Sequence, residues 1–81
     1  MPQWRLKWDP GAVAMLRAIP WRQGERVDAA VLRFAESSAG RVEAVSGDPR
    51  GFRLRVPPYV VRFEADPVAR ELRILAVFTE R

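Results

Sequence analysis

The sequence predicts one α+β domain over residues 1–81. Two N-terminal helices pack on a four-stranded, mostly antiparallel sheet in the order β-α-α-β-β-β. Three observations predict it. Gly51 to Ala65 reads as two alternating strands back to back, with Phe52, Leu54, Val56, Tyr59, Val61 and Phe63 on one face. Such period-two alternation marks a half-buried sheet. Apolar side chains then recur at helical spacing between Pro10 and Ser38, broken once at Pro20. Finally, Leu72 to Phe78 is apolar on both faces from Ile74 onward, which suits a central strand.

In chain order, Trp4, Leu6 and Trp8 alternate with Arg5 and Lys7, giving a first strand over residues 3–8. Asp9-Pro10 is a helix start, with Asp9 as cap and Pro10 at the first helical position. Ala12, Met15, Leu16 and Ile19 form its apolar stripe. Pro20 ends it, because proline lacks the donor and clashes with the preceding turn. A second helix over residues 20–38 carries Trp21, Gly24, Val27, Val31, Phe34 and Ala35 on one stripe, and Gly40 is placed for a left-handed cap. Gly24 leaves room for close contact between the two helices. Residues 41–46 read as a short extended piece, outside the four strands. Asp48-Pro49-Arg50-Gly51 is a type I turn signal. Pro57-Pro58 is unlike the Asn-Gly or Asp-Gly of a two-residue hairpin and predicts a wider connection. Asp66-Pro67 opens the turn into the last strand, which the first strand is expected to flank. Phe34, Leu54, Val61, Phe63 and Ile74 are the expected core.

Composition narrows the chemistry. With 81 residues, 48% hydrophobic and 30% charged, the chain has an ordinary globular makeup. Its net charge of +4 favours an anionic partner such as nucleic acid or an acidic protein. Histidine and cysteine are both absent, which excludes a Ser-His-Asp triad, a Cys-His pair and thiolate or histidine metal sites. The acids are scattered, so neither a metal nor a cofactor is expected. No apolar run approaches the roughly 20 residues of a membrane span, and a reducing cytoplasm is the expected compartment.

The candidate site is the face opposite the core. Arg53, Arg55 and Arg62 alternate onto it, with Arg73 of the last strand completing a nucleic-acid-binding set. Three close guanidiniums repel one another unless an anion or an acidic partner docks there. The bland alternative is a solvated outer face with splayed side chains. Val60, Leu75 and Val77 are expected among these arginines as the apolar part of a partner-binding surface. Glu64 reads as an ion-pair partner, and Tyr59 alternates onto the buried face.

The element order, with Phe52-Arg53-Leu54-Arg55-Val56 followed by Tyr59 to Asp66, resembles the RelE/ParE superfamily of bacterial type II toxins over nearly the whole chain. Members commonly show an arginine-rich strand, a Gly-containing turn, a Tyr/Arg strand ending in an aromatic and an acidic residue, and a final apolar strand. The resemblance implies a cytoplasmic toxin silenced by a cognate antitoxin protein. RelE-like members cut mRNA on the ribosome, and ParE-like members poison DNA gyrase. The alternative is a catalytically inactive nucleic-acid- or protein-binding module on the same scaffold. For an mRNA endoribonuclease without His or Cys, the resemblance implies Arg62, Arg55 and Arg81 as catalytic groups. The pattern departs from the family in three places. Pro57-Pro58 replaces the turn glycine, Val60 stands where the ribonuclease branch usually carries arginine, and Thr79-Glu80-Arg81 replaces a polar or basic cluster with a nearby tyrosine.

Overall fold

The computed structural model describes residues 3–80. Along the chain run β1 (Arg5–Trp8), α1 (Pro10–Ala18), α2 (Trp21–Ser37), β2 (Arg41–Ala44), β3 (Gly51–Val56), β4 (Tyr59–Asp66) and β5 (Glu71–Thr79). All five strands form one sheet in the spatial order β1-β5-β4-β3-β2. Every pairing is antiparallel except β1 beside β5. The four expected strands are therefore five. The addition is β2, whose four residues are too short to be told from a loop by alternation alone. Beside β3 it gains a ladder, with Val42 opposite Leu54 and Glu43 opposite Arg53.

The helix boundaries follow local chemistry. Asp9 has the extended backbone of a cap and Pro10 opens α1, yet the Asp9 side chain makes no capping bond. Its Oδ1 instead accepts from Arg73 Nε at 2.9 Å. The left-handed residue that ends α2 is Ser38 (φ 60), not the expected Gly40, and its N–H donates to the Phe34 carbonyl at 2.8 Å. Gly40 still has a steric role. Its φ is +142, and a Cβ there would lie 2.8 Å from Leu54 Cδ1, so the chain can leave α2 against the sheet only without a side chain. Gly24 is buried, and a Cβ there would sit 3.4 Å from the Leu16 carbonyl, consistent with close α1–α2 packing.

Both turns around β3 are tight. The Gly51 N–H donates to the Asp48 carbonyl at 3.1 Å, closing the predicted turn. The connection between β3 and β4 is narrower than expected, since Val56 pairs directly with Tyr59 across Pro57-Pro58. The Pro57–Pro58 peptide is cis, which is the type VI geometry with proline in the third position.

The core lies between helices and sheet. Ala12, Val27, Val31 and Ala35 meet Leu54, Val61, Phe63, Leu72, Ile74 and Val77. Four of the five expected core residues are buried, and Phe34 is half-buried with its ring centroid 5.4 Å from that of Phe63. Trp21 leaves the expected stripe. It opens α2, is 67% exposed, and lies under the Arg22 guanidinium at 5.0 Å.

One irregularity reassigns a face. Arg62 of β4 pairs with Ala76 and Phe63 with Ile74, leaving Leu75 as an extra residue in β5. A bulge of this kind reverses inward–outward alternation downstream. Val77, expected on the open face, is instead 3% exposed and packs in the core opposite Val61. Strict alternation carried through the bulge gave the wrong side.

Candidate functional site

The open face of the sheet is ordered in rows set by strand register. One row runs Arg41, Arg55, Val60, Phe78; the next runs Glu43, Arg53, Arg62, Ala76; a third runs Gly51, Glu64, Arg73, Lys7. Arg53, Arg55 and Arg62 thus share one face, and Arg73 lies on it two strands away from β3. Opposed residues in such rows have Cβ atoms about 5 Å apart. Without counter-charge, the Arg53–Arg62 and Arg41–Arg55 pairs would repel.

The counter-charge comes from the chain itself. Arg55 donates through Nη2 and Nε to Glu43 Oε1 at 2.8 and 3.1 Å, and through Nη1 to Glu80. These hydrogen bonds, first Glu43 and then Glu80, hold the Arg55 pKa above the ordinary guanidinium value. Arg62 Nη2 meets Asp48 Oδ2 at 3.3 Å, and Arg62 Nε is buried without a partner. Arg73 pairs with Asp9, which raises its pKa chiefly by that hydrogen bond, with smaller charge contributions from Glu64 and Glu71. Among the described residues, Arg53 alone of the four has no carboxylate partner. The carboxylates expected to come from Glu64 come instead from Glu43 and Glu80 for Arg55, Asp48 for Arg62 and Asp9 for Arg73.

The apolar part of the expected surface is also rearranged. Val60 lies on the open face but is only 1% exposed. It sits on β4 between Arg55 of β3 and Phe78 of β5, and the Arg55–Glu80 pair spans the same strand. Leu75 is half-buried at the bulge, and with Val77 in the core the exposed apolar group of this face is Phe78, at 39%. Tyr59 is in the core, as alternation predicts, so no phenol faces the arginines. Arg81 lies outside the described residues.

On the helix side, an apolar cleft of about 430 Å³ opens at the end of the sheet where β3 begins. Trp4, Phe34, Phe52 and Phe63 line it, with Val68 (93% exposed) at its rim. The Phe52 ring stacks on Phe63 with centroids 5.6 Å apart. Among the described residues no group of three or more carboxylates could hold a metal ion, and no helix is long and apolar enough to cross a membrane.

Sequence reasoning missed the acids that close the site and the cleft. Glu43 becomes visible only once β2 is a strand, since period two then puts it on the face of Arg41 and Arg55. Asp48 was legible as a turn residue, but its side chain serves the site as well.

No protein-family model matches this chain, and no curated protein matches it. Solved structures do. The isolated E. coli RelE toxin superposes with a TM-score of 0.78 at 13% identity, covering 96% of this chain and 85% of that one. That structure holds no antitoxin, so the likeness is to the toxin. The chain has the RelE/ParE toxin fold. The RelE–RelB complex from Pyrococcus horikoshii OT3 gives a TM-score of 0.80 at 19% identity, with 98% and 96% of the two chains covered. The chromosomal ParDE system from P. aeruginosa gives 0.76 at 19% identity and covers all of both chains. The RelE/ParE fold thus accounts for the whole chain, and RelE and ParE structures match it about equally well.

Proposed function

We propose that this chain is the toxin of a type II toxin–antitoxin pair, cytoplasmic, silenced by a cognate antitoxin, and acting on a protein target in the manner of the gyrase-directed branch. The fold supports a toxin. One observation carries the choice of branch: Arg55, Arg62 and Arg73 each have a carboxylate of the chain as partner. RNA cleavage by 2′-hydroxyl attack needs cations free to stabilise the phosphorane and groups free to move protons. Here three of the four arginines are paired with a carboxylate, Val60 after the turn is buried, and the tyrosine is in the core.

The antitoxin has two apolar surfaces to engage. The cleft lined by half-buried Trp4, Phe34 and Phe52, with exposed Val68 at its rim, is an open apolar surface of the kind that takes a protein partner's side chains. Leu75 and Phe78 offer a smaller one on the arginine face, where an acidic, amphipathic segment finds cations close by.

A second reading, mRNA cleavage, has one observation in its favour. Arg53 lacks a carboxylate, and its neighbour Arg62 has a single 3.3 Å contact, so this pair is under-compensated. A single contact at 3.3 Å leaves the guanidinium able to exchange Asp48 for a phosphate. That reading would use Arg62, Arg55 and Arg81 as catalytic groups.

Inducing the chain in bacteria and following DNA and mRNA together separates these readings. The expected result is growth arrest with DNA breaks and intact mRNA. Early mRNA cleavage would select the ribonuclease reading, and harmless expression would select the inactive binding module.

A further inference from the structure

We propose a phosphate-binding trough between α2 and the β2–β3 edge, formed by Arg26, Arg33, Arg41 and Arg55, and taking a nucleoside phosphate or the phosphates of a nucleic-acid strand. These four arginines line one open cleft of about 280 Å³, and no carboxylate lines it. The trough goes beyond the toxin reading and stands independently of it.

Its origin is in the fold. On α2, Arg22, Arg26 and Arg33 stand four and seven residues apart, which at 100° per residue places them within about 40° on one stripe. β2 begins at Arg41 opposite Arg55, whereas β3 continues to Val56, so the last residue of β3 has no β2 residue beside it on that edge. The gap is floored by Leu54, Val56 and Pro57 and rimmed by the guanidiniums.

The charges are unevenly compensated. Arg26 is fixed in place by Gln23 Oε1 and the Pro57 carbonyl, both at 2.8 Å, and neither acceptor is anionic. Among the described residues, the Arg33 and Arg41 guanidiniums have no hydrogen bond or ion pair, and only Arg55 is neutralised. On the open face, by contrast, Arg55, Arg62 and Arg73 each have a carboxylate partner. Guanidinium forks suit phosphate oxygens bidentately. The apolar floor gives a sugar or base a surface to lie on, and the nearest carboxylates, Glu43 and Glu80, do not line the trough and are engaged by Arg55.

Calorimetric titration with ATP, inorganic pyrophosphate and a 12-nucleotide single-stranded RNA tests the trough. The variants are Arg33→Ala/Arg41→Ala and, as a control with equal charge loss elsewhere, Lys7→Ala/Arg17→Ala. All four side chains are on exposed residues, and thermal unfolding of each variant confirms the fold. The trough variant is expected to bind at least about tenfold more weakly, the control within about twofold. For RNA, the slope of log affinity against log salt should fall by about 1.4, the share of two phosphate contacts on a single strand. ATP binding at least as tight as RNA assigns the trough to a free nucleotide, and tighter RNA binding with the reduced slope assigns it to a strand. No binding of any probe by the wild type, or equal losses in both variants, overturns the proposal.

Discussion

Truncating Phe63 to alanine is expected to cost about 3–5 kcal/mol in urea-induced unfolding. Phe63 is 2% exposed at the centre of β4, and its ring meets both Phe34 and Phe52. Removing it takes away buried apolar area and leaves a cavity that Phe34, Phe52 and the neighbouring strands cannot fill without shifting. The adjoining cleft lets water or a neighbouring ring relax into the gap, which places the cost toward the lower end of that range. A loss below about 1 kcal/mol would mean that β4 presents its other face to the helices.

The second large effect comes from the bulge. Val77→Glu is expected to prevent folding, because it puts an unpaired carboxylate in the core opposite Val61, a change on the order of 4–5 kcal/mol or more. Leu75→Glu, two residues earlier, should leave a folded protein within about 1 kcal/mol of wild type, since Leu75 sits half-buried on the arginine side. Strict alternation predicts that the two variants behave alike. Circular dichroism and urea titration of both variants therefore read out the register directly. A folded Val77→Glu protein would contradict the bulge.

What the sequence disclosed, and what it did not, has a common cause. Elements with long periodic signals were legible: both helices, the alternation of Gly51 to Ala65, and β5 as an inner strand flanked by β1. The Asp48-Pro49-Arg50-Gly51 turn was legible because its residues encode the geometry locally. The misses are non-local. β2 is only four residues and is a strand by virtue of β3. The bulge at Leu75 depends on how β4 and β5 align, and no residue in Ile74-Leu75-Ala76 announces it. For the site, the arginines could be placed on one face from alternation, but their acids come from the loop before β3, from β2, from the residue after β5 and from the cap of α1. The charge balance of the face is thus a property of the assembled sheet, and so is the trough, whose arginines are drawn from α2, β2 and β3.

The central claim is that this toxin fold acts without the arginine face as an RNA-cleaving centre. Its most direct test is the double variant Arg55→Ala/Arg62→Ala, induced in bacteria and compared with wild type for growth arrest and mRNA integrity, with thermal unfolding of the purified protein alongside. Both side chains lie on the open face, away from the apolar core between helices and sheet, so the variant is expected to remain folded. The account predicts that the folded variant still arrests growth and that mRNA stays intact in both strains. Loss of arrest in a folded variant, together with mRNA cleavage by the wild type, would contradict it and return the activity to Arg55 and Arg62.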